Sequence, residues 1–95
     1  MELQSQFIGF YDAIASDQRM NCTHISLYMA LLFQCLKQDG ANPITAERNV
    51  LMLLAKISAR STYNKCMRDL HEYGYIRYTP SYNFYLGSLV FIKAI

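Results

Sequence analysis

Residues 54–78, LAKISARSTYNKCMRDLHEYGYIRY, restrict the fold more than any other stretch of the chain. In order they read as the end of one helix, a tight turn at Lys56-Ile57-Ser58, a second helix from about residue 59 to 73, and a strand at 75–79. Tyr63, Met67 and Leu70 recur at i, i+4 and i+7 and so share one helix face, which Cys66 and Tyr73 widen. The opposite face carries Arg60, Ser61, Thr62, Asn64, Lys65 and Arg68. Ile57 is expected to point into the angle between the two helices. Gly74 can take the left-handed conformation that stops a helix. Ile76 and Tyr78 then alternate on one side of the strand until Pro80 breaks it.

Upstream, residues 5–16 place Phe7, Ile8, Tyr11, Ile14 and Ala15 on one helical stripe, which predicts that this stripe packs on the rest of the molecule. Residues 17–21 form a polar connection. Thr23 is the expected N-cap of the next helix, which runs through HISLYMALLFQCLKQ to Asp39-Gly40, with Gly40 as the left-handed stop. Ile25, Tyr28, Met29, Leu31, Leu32, Phe33, Cys35 and Leu36 make this helix apolar on nearly every face. It must therefore be surrounded, which a 95-residue monomer can barely achieve. A homodimer interface through the two N-terminal helices would supply the missing cover.

Asn42-Pro43-Ile44 should be extended, because a residue before proline is pushed out of the α region, and it is the expected site of a short first strand. Thr45 is then expected to cap a helix reaching about Ala55, with Val50, Leu51 and Leu54 inward and Arg48 outside. After a loop at 80–87, the run Ser88-Leu89-Val90-Phe91-Ile92 is expected to pair back as a strand.

Ninety-five residues make one domain, and a 53% hydrophobic content with 14% aromatic excludes a disordered chain. No apolar run approaches the roughly 20 residues that span a bilayer, and the N-terminus has no basic region followed by an apolar stretch and a cleavage site, so a cytoplasmic protein without membrane contact is expected. Cys22, Cys35 and Cys66 lack CxxC spacing and have only His24 and His71 to join them, which argues against a metal site and for small hydrophobes on buried helix faces. Ser58, Asp69 and His71 supply the residue types of a nucleophilic triad, but lie 11 and 13 residues apart on or beside one helix. At about 1.5 Å per residue that separation keeps them from meeting. No catalytic role, cofactor or small-molecule effector is expected, and His71 reads as a surface residue in a last helical turn, where the dipole favours a cation.

The net charge of +2 conceals a segregation. Residues 1–47 hold two cations against five carboxylates, a net −3, whereas residues 48–95 hold seven cations against Asp69 and Glu72 alone, a net +5. A polyanion would meet the C-terminal half.

The order of elements and the charge together predict an α+β, mostly α, winged helix-turn-helix of about four helices with a C-terminal β-hairpin wing. It is a single domain, with N-terminal helices at 1–40 and the helix-turn-helix and wing at 41–95. The second helix of such a unit enters a major groove. Arg60, Asn64 and Lys65, in its N-terminal half, are assigned to base edges, since Arg and Lys can bond guanine and Asn can bond adenine. Ser61 and Thr62 suit phosphates or a thymine methyl, and Arg48, Lys56, Arg68 and Arg77 suit the backbone. In the wing, Ser81, Tyr82, Asn83 and Tyr85 can reach phosphate or sugar. Double-stranded DNA is the expected partner, in transcription regulation. The alternatives are a protein-interaction module, or an architectural factor in replication or excision.

HISLYMALLFQ, LAKISARSTYNKC and LHEYGYIRYTPSYN followed by GS are similar to short winged-helix proteins encoded on integrative and mobilisable elements of Bacteroidetes, over most of the chain. More distantly, the LA, ST and L-x3-G pattern resembles the reader helix of MarR-like and GntR-like regulators. The resemblance implies a winged-helix fold and DNA contact, and points to regulation of a mobile element. Two positions depart from the pattern. Ala59 stands where such regulators carry a serine cap, leaving Ser58 to cap one residue early, and Phe84 stands where a proline is expected.

Overall fold

A computed structural model describes residues 2–80 and 87–95, and within them the elements run α1 (Leu3–Ala15), α2 (Cys22–Lys37), β1 (Ile44–Ala46), α3 (Arg48–Ala55), α4 (Arg60–Glu72), β2 (Ile76–Thr79) and β3 (Ser88–Ile92). The fold is α+β and mostly helical, with four helices and one three-stranded antiparallel sheet among the described residues. Strand order is β1-β3-β2, with Ile44 opposite Val90 on one side of β3 and Ile76 opposite Ile92 on the other. Two side chains continue the ladders. The Gln38 amide bonds both the N–H and the C=O of Thr45 at 3.1 Å, covering the free edge of β1, and the Asn42 amide does the same for Ile92 at 2.8 Å. Such pairing removes the open backbone groups that make an edge strand sticky.

The helix starts differ from the expected ones. Asn21, not Thr23, caps α2: its side chain accepts from the backbone N–H of Thr23 and His24, while His24 Nδ1 accepts from the Asn21 N–H at 3.1 Å. This is a reciprocal capping box with histidine in the role usually taken by Glu or Gln. Thr45 caps nothing, because β1 extends to Ala46 and the turn into α3 falls at Glu47, which makes no side-chain cap bond. One helix end follows its glycine: Gly74 (φ +90°) is the left-handed stop of α4, and the Tyr75 N–H returns to Leu70 O at 3.0 Å. In α2 the chain turns left-handed one residue before Gly40, at Asp39 (φ +59°), and the Gly40 N–H closes the helix onto Cys35 O at 2.8 Å.

Helix α1 docks by another face than its apolar stripe suggests. Phe7, Ile8 and Tyr11 are exposed, whereas Gln6 and Phe10 are buried and Ile14 is partly so. Three bonds make the burial of an amide possible: Gln6 Nε2 donates to the Tyr28 hydroxyl at 2.6 Å and to Lys93 O at 2.8 Å, and Gln6 Oε1 accepts from the Ile95 N–H at 3.2 Å. Phe10 stacks on Tyr28 with ring centroids 3.8 Å apart, and Tyr75 meets both rings edge-on. On the same side Gly9 lies so close to the last residue that a Cβ there would stand 2.5 Å from Ile95 O.

Helix α2 is not fully surrounded either. Leu27, Tyr28, Ala30, Leu31, Leu32 and Cys35 are buried, but Phe33 and Leu36 are half exposed, because α3, α4 and the sheet cover only one side. In α3 the inward residues are Leu51 and Ala55, while Leu54 is turned towards solvent along with Leu53. The eight-residue helix presents one narrow stripe to α2, and the Ser26 hydroxyl fixes its end by donating to Ala55 O at 2.6 Å.

Candidate functional site

The inner face of α4 is as expected: Tyr63, Cys66, Met67 and Leu70 are buried, and Tyr73 is half-buried. Packing of that face on α2 and β2 leaves Arg60, Ser61, Thr62, Asn64, Lys65 and Arg68 exposed. Arg60, Asn64 and Arg68 recur every four residues and form one row, with Ser61 and Lys65 in the adjacent row. From Arg60 to Arg68 the helix has no acidic side chain, and Asp69 turns inward.

Neither Ala59 nor Ser58 caps α4. The N-cap position is Ala59, without a side-chain bond, and the Tyr63 N–H is the first to reach back, to Ala59 O at 3.1 Å. The amides of Arg60, Ser61 and Thr62 thus sit at the positive end of the helix dipole without side-chain acceptors. Before them, Lys56 takes the left-handed conformation (φ +61°), the Ile57 N–H closes onto Met52 O at 2.9 Å, and Ile57 is buried between the helices. Lys56 itself is exposed.

The remaining expected contacts fall elsewhere. Arg48 is half-buried rather than outside: its Nε is enclosed without a hydrogen-bond partner. It lies near the buried Tyr63 hydroxyl, whose pKa is raised by burial first and by Tyr78 next, with the Arg48 charge opposing. Arg48 is the first residue of α3, two residues after β1 ends. Arg77 is exposed on β2 and lies over the Phe91 ring at 5.4 Å, held by the cross-strand pairing of these two residues. Tyr82, Asn83 and Tyr85, like Ser81 and Phe84, lie outside the described residues.

Sequence reading missed the group that fixes α4. Buried His24 and Asp69 meet with Nε2 and Oδ2 2.9 Å apart, and the same oxygen accepts from Lys65 Nζ at 2.9 Å. Burial raises the Asp69 carboxyl pKa, but the bonds from His24 and Lys65 together outweigh burial and hold it below its ordinary value. Lys65 is exposed yet tethered, so its ammonium stands at a defined place on the α4 surface. The Asn21-x-x-His24 spacing was the available signal. A second link runs from the α1–α2 connection: the Tyr75 hydroxyl donates to Asp17 Oδ2 at 2.7 Å, and Arg19 pairs with Asp17 at 2.8 Å while lying 4.2 Å from the Tyr73 ring centroid.

The three cysteines are free. Cys35 and Cys66 are buried, and burial pushes both thiols up, whereas Cys22 is exposed as the first residue of α2, contrary to its expected place inside. Among the described residues no helix is long and apolar enough to cross a membrane. No family model, curated protein or solved structure matches the chain.

Proposed function

We propose that this chain is a winged helix-turn-helix protein that binds double-stranded DNA sequence-specifically, with α3 crossing the backbone, α4 in the major groove and the β2–β3 hairpin as the wing. One observation carries the reading: the row of Arg60, Asn64 and Arg68, flanked by Ser61 and Lys65, projects from a helix whose opposite face is locked into the core. A helix of that kind presents hydrogen-bonding groups at fixed spacing to base edges, which is what direct readout requires. The element order α3, turn, α4, β2, β3 and the charge segregation along the chain support the same reading.

In this mechanism Arg60, Asn64 and Lys65 read bases, while Ser61, Thr62, Arg68 and Lys56 hold the phosphates, helped by the uncapped amides at the start of α4. The bond to Asp69 leaves Lys65 somewhat less freedom to lose on binding, and a base contact must share or replace it. Arg48 and Arg77 act by supporting α3 and the hairpin, and from there reach the backbone. Regulation of a mobile element, as the resemblance implies, is the context; an architectural role in replication or excision would use the same contacts.

Selection of bound duplexes from a random pool tests the proposal. A consensus should emerge, and Arg60→Ala should relax it at one base pair. Failure of any sequence to enrich would refute sequence-specific binding. Protein interaction is the second reading, favoured by the exposed apolar residues of α1, α2 and α3, but those lie off the basic row of α4.

A further inference from the structure

Solvent-facing apolar side chains gather along α1, the outer side of α2 and the end of α3. Leu3, Phe7, Tyr11, Phe33, Leu36 and Leu54 are each 38–51% exposed, and Leu53 is 70% exposed. They are not scattered. A hollow of about 380 Å³ between α1 and α2 is lined by Leu3, Phe7, Phe33 and Leu36 among others, and Phe33 also lines a second hollow of about 290 Å³ that reaches Leu54 on α3. The Phe7 and Tyr11 rings stand 5.1 Å apart, extending the strip along α1.

We propose that this face seats a second copy of the same chain, forming a two-fold dimer in which the hollow of each subunit receives the apolar ridge of the other. Area is the first argument. On the aromatic scale of about 150–250 Å² per side chain, with leucine near the lower end, those exposed fractions leave roughly 500 Å², and Ile8 and Leu53 bring it to roughly 700 Å². A standard interface takes about 800 Å² from each partner, of which about 65% is apolar in homodimers, or roughly 500 Å². The strip therefore supplies what one subunit of a stable dimer contributes.

Charge is the second argument and selects the occupant. Among the described residues no ionisable side chain lines either hollow, and the one cation nearby, Lys37, stands at the rim with Nζ 6.0 Å from the Phe33 ring centroid, so the floor of the face suits an apolar occupant better than nucleic acid or an acidic peptide. Near a two-fold axis each side chain meets its own copy, and charges there would repel; an uncharged face avoids that. The face also holds both shapes that self-complementarity needs. Ile8 and Leu53, both more than half exposed, follow or precede in sequence Phe7 and Leu54, which line the hollows, and supply apolar side chains that a matching recess can take. Such a dimer covers the unshielded side of α2 and leaves the exposed row of α4 free.

Sedimentation equilibrium without DNA tests this directly. The wild-type chain should have twice the monomer mass at micromolar concentration. Phe33→Glu should raise the dimer dissociation constant about 100-fold or more, because it buries two facing carboxylates in the interface. Circular dichroism should show its helix content unchanged, and Leu36→Glu, at a half-exposed position, serves as a second variant if Phe33→Glu does not fold. Arg60→Ala should leave the dimer intact, which separates this proposal from DNA binding. A wild-type chain that stays monomeric at about 100 µM, glutamate variants that dimerise as tightly as wild type, or a mass that grows past the dimer with concentration would each overturn it.

Discussion

His24 Nε2 donates to Asp69 Oδ2 across 2.9 Å, joining the first turn of α2 to the inner flank of α4. The direction of the bond follows from the other nitrogen: Nδ1 accepts the Asn21 N–H, so the proton of the neutral ring must be on Nε2. One imidazole thereby completes a helix cap and orients the helix that carries the candidate reader residues.

Asp69→Ala should lower stability by about 1–3 kcal/mol, the cost of leaving a buried donor unpaired. For a domain of this size that is a fall of several degrees in Tm for each kcal/mol. Asp69→Asn keeps an acceptor for His24 and should lose less. Thermal unfolding of the two variants checks the order; equal losses would mean that the His24 bond contributes nothing specific.

Acid should weaken the same link. The Asp69 and Asp17 carboxyls both titrate below their ordinary value of 3.8, Asp69 because the His24 and Lys65 bonds outweigh burial, and Asp17 because of its bonds from Arg19 and Tyr75. A group with a depressed folded pKa stabilises the protein fully above its unfolded pKa and loses that contribution as pH falls through the folded value. Stability should therefore be level near neutrality, decline as pH drops past about 4, and keep declining below it. Urea unfolding across that range measures this, and Asp69→Asn should flatten part of the decline.

Gln6→Ala should release α1 from the C-terminal segment. Three bonds to Tyr28, Lys93 and Ile95 are removed at once, beside the place where Gly9 packs against Ile95. A loss of about 2 kcal/mol, with amide hydrogen exchange accelerated first in α1 and at residues 93–95, is expected. Unchanged exchange there would show that Phe10 stacking alone docks the helix.

Arg60→Ala should weaken binding to a selected duplex by about 1–3 kcal/mol and hardly affect a scrambled one, as loss of a base contact does. Lys56→Ala should weaken both alike. Fluorescence anisotropy on the two duplexes separates them, with Tyr63→Ala as the variant whose effect must follow from lost folding.

Much of this architecture is legible in the sequence because it rests on local rules. The stripe of Tyr63, Met67 and Leu70 and the glycine stop at 74 require only helical spacing and backbone freedom. What is not legible depends on partners distant in the chain. The burial of Gln6 depends on groups 22 and 87 residues away. Phe7, Ile8 and Tyr11 read as core because they are apolar, although Phe10 has the stacking partner. Asp69 reads as one acid on a basic helix, and only the fold brings His24 to it. Thr23 and Thr45 have capping chemistry, but the chain turns two residues away from each, at Asn21 and Glu47.

The central claim is that the exposed cations of α4 and its preceding turn, Lys56, Arg60, Lys65 and Arg68, meet phosphate and base in a groove. Titrating a selected duplex at about 50 and 200 mM salt tests it most directly. Lys56, Arg68, Arg48 and Arg77 give about four phosphate contacts per subunit, so one bound subunit should show a log–log slope near −3.6 and lose roughly 150-fold in affinity between the two conditions, and a dimer on two half-sites should show about twice that slope. A slope near zero, or no detectable binding at about 50 mM, would contradict it.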